Sequence, residues 1–169
     1  MKIAFLDRDG TINKEFEDEQ WGTIEEPVLN EGAVEAMQEM QKRGYEIIIV
    51  TNQPLINKGI ITQKQYDSYT EKLLNILNIN GIKVLEIYFC PHREEENCSC
   101  RKPNTGMIEK AIEKYKNIEI EKSFMVGDSL NDVGLGNKMK LKSFGINLKS
   151  VEFDFTEVNS LKDVIKYID

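Results

Sequence analysis

Short apolar runs alternate along the whole chain with stretches in which apolar residues recur every three to four positions. That alternation dictates parallel β-strands joined by crossover helices. KIAFLD (2–7), YEIIIVT (45–51), VLEIYFC (84–90) and SFMVGD (123–128) read as buried strands, with KSFGINL (142–148) as a fifth. Between them GAVEAMQEMQKRG carries Val34, Met37 and Met40 at helical spacing, and Gly44 after Lys42 and Arg43 is a C-cap signal. Residues 63–77 read as a scaffold helix. GMIEKAIEKYK repeats Ile108, Ala111, Ile112 and Tyr115 on one face, and a last helix is expected over 160–168. The expectation is an α/β, Rossmann-like three-layer sandwich with a central parallel sheet. With 169 residues the chain holds one core but not two, so a single domain over 1–169 is expected. Residues 13–30 show no period and carry five Glu, one Asp and the only Trp, which reads as a long loop. Trp21 could line a pocket, pack on the core or meet a partner, with packing the commoner role for such a residue.

Charge narrows the partners. Twenty-two basic against 29 acidic residues give a net charge of −7, which argues against non-specific binding to nucleic acid or to an anionic membrane surface. No apolar run approaches the roughly 20 residues that span a bilayer, and MKIAFLDRDG breaks into charge too early for a signal peptide. A cytoplasmic protein is the expectation. Oligomeric state leaves no signal in the sequence.

Open parallel sheets bind ligands beyond the carboxyl ends of their strands. After the first expected strand comes Asp7-Arg8-Asp9-Gly10-Thr11, after the second Thr51-Asn52-Gln53, and after the fourth Asp128-Ser129-Leu130-Asn131-Asp132. Asp7, Asp9 and Asp128 brought together would repel one another unless a cation sat among them, and hard oxygen ligands suit Mg²⁺. A phosphate is then the natural anionic ligand, an aspartate can attack phosphorus, and Asp9 can protonate the leaving oxygen and later deprotonate water. Each cluster also has a plainer reading: Asp-Gly after a strand is often only a turn, and Asp128 or Ser129 can simply cap a helix. A calcium loop is excluded, because in DRDGTINKEFED the Gly falls two positions early and Asp18 stands where a bidentate Glu belongs.

FLDRDGTI resembles the first signature of the haloacid dehalogenase-like phosphatase superfamily. IIIVTN resembles the second signature, Lys102 in RKP the third and VGDSLND the fourth, in order over about residues 3–146. The resemblance implies Asp7 as nucleophile, Asp9 as general acid and base, and Thr51 as a phosphate-binding hydroxyl. It makes Lys102 a charge clamp on the phosphate. Asp128 becomes a Mg²⁺ ligand together with Asp7 and the backbone carbonyl of Asp9, with Asp132 behind them orienting metal-bound water or Lys102. Asn52 and Arg101 join Thr51 and Lys102 as expected substrate contacts.

All three cysteines and the only histidine fall within CPHREEENCSC, directly before RKP. Cys90, His92, Cys98 and Cys100 form a soft donor set that suits tetrahedral Zn²⁺, the alternative being free thiols in solvent. A subgroup of the superfamily carries such a Cys-x-His…Cys-x-Cys loop followed by Arg-Lys-Pro. Its members are small phosphatases acting on D-glycero-D-manno-heptose 1,7-bisphosphate and on histidinol phosphate. The resemblance implies a structural Zn²⁺ that folds the loop and holds Arg101 and Lys102 over the phosphate. The stretch between Thr11 and the second strand is too short for a cap domain. A small phosphorylated metabolite follows, with heptose bisphosphate first and histidinol phosphate second. The run Thr51-Asn52-Gln53-Pro54-Leu55 departs from the Thr-Asn-Gln-Ser-Gly of the heptose group. A polynucleotide 3′-phosphatase and an inactive zinc-stabilised binding module are more distant alternatives.

Overall fold

In the computed structural model, which describes residues 1–169, six strands form one parallel sheet. They are β1 (Lys2–Leu6), β2 (Tyr45–Asn52), β3 (Val84–Cys90), β4 (Phe124–Gly127), β5 (Lys142–Ile146) and β6 (Thr156–Val158). Their order across the sheet is β3-β2-β1-β4-β5-β6, and every neighbouring pair is parallel. The chain therefore builds outward from β1 to β3, returns to the centre, and builds outward again from β4 to β6. The reversal between β1 and β4 leaves a crevice at their carboxyl ends, where the flanking connections part to opposite sides.

Strand alternation splits the core into two layers. Ala4, Leu6, Ile47, Ile49, Phe124 and Val126 face α1 (Ala33–Lys42), α2 (Gln63–Ile79) and the closing turn. Ile3, Phe5, Ile48, Val50 and Met125 face α3 (Gly106–Lys114) and α4 (Leu130–Lys138). The central strands are apolar on both sides because both faces are covered, which is why their sequences read as unbroken runs. Arg43 caps α1, and Gly44 follows it with φ +82°. No helix is long and apolar enough to cross a membrane.

Three elements depart from the expectation. β6 is an additional edge strand of three residues, too short and too interrupted by charge to show a period. The closing helix is 3-10 over Leu161–Tyr167, with Leu161 and Val164 buried three positions apart, one turn of that tighter helix. α4 contains Gly134 and Gly136, poor helix formers that hide it. A Cβ at Gly136 would stand 2.1 Å from Ser143 Oγ, so close approach of α4 to β5 requires the glycine. Residues 13–30 contain only the 3-10 turn Asp18–Thr23, and nothing the size of a domain lies between β1 and α1.

Candidate active site

β1 ends at Leu6 and delivers Asp7; β4 ends at Gly127 and delivers Asp128. Carboxylate oxygens of Asp7, Asp128 and Asp132 lie within 4.8 Å of one another at the β1/β4 crevice. Gly10, at φ +83°, lets the loop after β1 turn back close to β4; a Cβ there would fall 2.0 Å from Asp128 Oδ2. Gly127 does the same for Asp132, whose Cγ stands 2.1 Å from where its Cβ would be.

Lys102 enters from the loop before α3 and is almost wholly buried. Its Nζ donates to Asp7 Oδ1 at 2.7 Å, to Asp132 Oδ1 at 2.7 Å and to the Val50 carbonyl at 2.8 Å, so all three ammonium hydrogens are used. Burial disfavours its charge, but Asp132 and Asp7 more than offset this and hold the ammonium above its ordinary range. Asp132 is fixed from behind, its Oδ2 accepting from the Ser129 N–H at 3.0 Å and the Ser129 hydroxyl at 2.7 Å. Burial first, and then repulsion from Asp132, push the Asp7 carboxyl well above the usual range, with Lys102 opposing. Asp128 is raised for the same two reasons.

Asp9 points elsewhere. Arg8 grips it with a fork, Nε to Oδ1 at 2.8 Å and Nη2 to Oδ2 at 2.9 Å. Asn13 Nδ2 donates to Oδ1 at 2.9 Å and Gln53 Nε2 to Oδ2 at 2.9 Å. Asp9 thus accepts four hydrogen bonds and keeps its side chain outside the cluster of Asp7, Asp128 and Asp132. Thr51 is buried and its hydroxyl oxygen accepts from Gln53 Nε2 at 2.9 Å, which leaves the hydroxyl hydrogen available as a donor. Asn52, expected to meet substrate, spends its amide on the Lys102 backbone: the Lys102 N–H donates to Oδ1 at 2.9 Å, and Nδ2 donates to the Lys102 carbonyl at 3.1 Å. Arg101 lies beside the cysteine loop and its Nη1 reaches only the His92 carbonyl, at 3.5 Å.

Sequence patterns alone do not single out Arg8, Gln53, Asn13 or Glu15. Burial and the nearby Asp128 and Asp9 carboxylates push the Glu15 carboxyl up to about 7. It borders a cavity of about 610 Å³ whose wall also carries Thr11, Lys14, Asn147 and Lys162. In the site, Arg8 and Lys102 face the carboxylates of Asp7, Asp9, Asp128 and Asp132. Two cations against four carboxylates leave two negative charges, the balance a divalent oxygen-bound ion would neutralise.

The cysteine loop closes on itself as the sequence suggests. Cys90, at the end of β3, has its Sγ 2.9 Å from Cys100 Sγ and 3.5 Å from Cys98 Sγ; His92 Nδ1 lies 3.3 and 3.2 Å from Cys90 and Cys100. All three cysteines are free. Three thiols 2.9–3.7 Å apart with an imidazole beside them form a tetrahedral donor set, drawn in from the ~3.8 Å edge of a thiolate site, that suits a Zn²⁺ ion. Cys98, although burial disfavours its thiolate, is brought down to about 7 by the Arg101 N–H and the neighbouring thiols. The Arg101 N–H reaches its sulfur at 3.3 Å, so the donor cluster is tied directly to the residue before Lys102.

A family model described as polynucleotide kinase 3 phosphatase matches residues 2–161. A probable D-glycero-D-manno-heptose-1,7-bisphosphate 7-phosphatase of Thermoplasma volcanium is 41% identical over 128 residues, covering 76% of this chain and 86% of the relative. The histidine biosynthesis bifunctional protein HisB of Campylobacter jejuni is 34% identical over 160 residues, which is 94% of this chain and 44% of that protein. Among solved structures, the D,D-heptose 1,7-bisphosphate phosphatase of B. bronchiseptica, complexed with magnesium and phosphate, superposes with a TM-score of 0.85 at 22% identity, over 99% of this chain and 97% of the other.

Proposed function

The chain belongs to the polynucleotide kinase 3 phosphatase family, within the haloacid dehalogenase-like phosphatases, and from that membership we propose that it hydrolyses D-glycero-D-manno-heptose 1,7-bisphosphate. It is a phosphatase. The observation that carries the reading of the site is Lys102, buried between Asp7 and Asp132 with Asp128 across the crevice.

In this reading Mg²⁺ is held by Asp7, Asp128 and the backbone carbonyl of Asp9. It neutralises charge on the phosphate and on the carboxylates that would otherwise repel it. An Asp7 oxygen attacks phosphorus and the bond from phosphorus to the leaving oxygen breaks. Asp9, which gives up one of its four accepted hydrogen bonds to carry a proton, passes that proton to the leaving oxygen, and an aspartyl-phosphate forms. Water then attacks the same phosphorus while passing a proton to Asp9; phosphate leaves, and Asp7 is regenerated with Asp9 protonated again. The Thr51 hydroxyl donates to the phosphate oxygens, and the Lys102 ammonium, its three hydrogens already held, stabilises the charge that builds on them through its field. Cys90, His92, Cys98 and Cys100 would hold a structural Zn²⁺, which would tie down the loop that carries Arg101 and Lys102.

The polar cavity beside Gly10 and Thr11 suits a sugar phosphate. Net charge −7 disfavours a polynucleotide, whose phosphates demand a basic track. A second reading, histidinol phosphate, is favoured by Glu15, an acidic group on the cavity wall that matches a substrate amine. Phosphate release with Mg²⁺ from heptose 1,7-bisphosphate, histidinol phosphate and an oligonucleotide with a 3′-phosphate tests the choice. Turnover on the heptose compound at least tenfold above the others supports the proposal. Preference for either other compound replaces it.

A further inference from the structure

Arg8 is buried, and its guanidinium sits inside three aromatic rings: its Cζ lies 4.7 Å from the centroid of Tyr69, 5.5 Å from Tyr66 and 5.7 Å from Trp21. Two rings come from α2. The third comes from the 3-10 turn in the loop after β1, where Trp21 packs edge-on to Phe16 at 5.3 Å and to Tyr69 at 5.5 Å. Trp21 Nε1 donates to the Phe16 carbonyl at 3.1 Å, which fixes the ring against rotation. A cation is expensive to bury, and this one has a single carboxylate to pair with. A flat guanidinium offsets that cost better than an ammonium would, because it presents two parallel N–H donors to the carboxylate while the ring faces attract its charge and prevent it from turning.

We infer that Arg8 is a positioning residue that holds the general acid and base, Asp9, in one rotamer, and that residues 13–30 and α2 exist in part to cage it. The inference rests on the phosphatase reading above. Without Arg8, Asp9 keeps the Asn13 and Gln53 bonds at 2.9 Å each but loses the two-point grip that sets the plane of its carboxyl. Both side-chain hydrogen bonds of Arg8 go to Asp9, so its loss acts on proton transfer and leaves attack by Asp7 intact. The rings explain why the chain spends its only Trp and two tyrosines of an otherwise ordinary helix on one side chain.

Leaving-group dependence separates this role from a purely structural one. p-Nitrophenolate departs without a proton, so the first step on p-nitrophenyl phosphate needs no acid, whereas hydrolysis of the aspartyl-phosphate still needs Asp9 as base. Arg8→Met is expected to leave the rate of the p-nitrophenol burst within about threefold of the unaltered protein. It is expected to slow steady-state turnover by about 10²-fold, the scale of general acid–base catalysis, so that aspartyl-phosphate accumulates. On an alkyl phosphate the first step itself slows by a similar factor. Arg8→Lys, which keeps charge without the fork, restores less than a tenth of the loss. Trp21→Leu, which thins the cage, shows the same pattern at smaller size and serves if Arg8→Met does not fold. Burst and steady state falling together, or neither changing, would overturn the role of Arg8. An unaltered protein with no turnover on any phosphomonoester would instead overturn the phosphatase reading beneath it.

Discussion

The ammonium of Lys102 sits 2.7 Å from Asp7 Oδ1, in a place that admits almost no solvent. A lysine so placed is oriented before any substrate arrives, because Asp132, the Val50 carbonyl and the Asn52 clamp on its backbone already fix it. Such preorganised charge is worth most where charge develops during reaction.

Lys102→Ala is expected to lower kcat by about 10²- to 10³-fold, the scale for removing one preorganised donor. It also strands Asp7 and Asp132, and losing one partner of a buried pair costs about 3–5 kcal/mol. Urea unfolding beside kinetics separates the two effects. An unchanged kcat in folded protein removes Lys102 from the reaction.

Gly10→Ala places a methyl group 2.0 Å from the position of Asp128 Oδ2, on a backbone at φ +83° that disfavours any side chain. About 1–3 kcal/mol of stability is expected to be lost to the backbone conformation. Displacement of Asp128 is expected to weaken Mg²⁺ binding at least tenfold, read by isothermal titration calorimetry. Intact Mg²⁺ affinity would show that Asp128 does not hold the ion.

The raised carboxyls set a pH dependence. Asp7, Asp128 and Glu15 all bind protons more tightly in the metal-free fold than in the open chain, Glu15 at about 7 against 4.5. A raised folded value stabilises below the unfolded one and loses that contribution as pH rises, so for Glu15 the metal-free protein loses stability between about pH 4.5 and 7. Mg²⁺ competes with the protons of Asp7 and Asp128, so its affinity rises with pH and binding releases protons. Titration in two buffers of different ionisation enthalpy measures the release. Binding that is flat from pH 5 to 8 with no proton release would contradict this assignment.

Metal analysis of purified protein is expected to find about one Zn²⁺ per chain. Because binding free energy in such a site is folding free energy, chelation is expected to melt residues 90–100 and free Lys102. Activity in excess Mg²⁺ falls at least tenfold and returns on adding Zn²⁺. Cys98→Ser is expected to lose zinc and lower Tm. Full activity in zinc-free protein would make the loop dispensable.

Much of the site is legible without the fold. Asp7 and Asp128 follow apolar runs that are strands for elementary reasons, and parallel sheets gather such positions at one edge. The four donors of the cysteine loop are visible as composition, since every Cys and His lies in eleven residues. Arg8 is not visible: between two aspartates it reads as an ordinary loop cation, and its aromatic cage comes from residues 13 to 61 positions further on. Gln53 and Asn52 act through contacts to Asp9 and Lys102, 44 and 50 positions distant, which no local pattern encodes. The same holds for Trp21, whose partners Tyr69 and Arg8 belong to other elements. β6 and α4 are obscured for a different reason, the one being three residues long and the other weakened by two glycines needed for close packing.

The central claim is that Asp7 carries the phosphoryl group. Intact mass of acid-quenched protein during turnover with Mg²⁺ tests it most directly: an adduct of about 80 Da, lost with hydroxylamine and mapped to Asp7, is the expected result, with no adduct and no phosphate release in Asp7→Asn. Phosphate release that persists in Asp7→Asn would contradict the account.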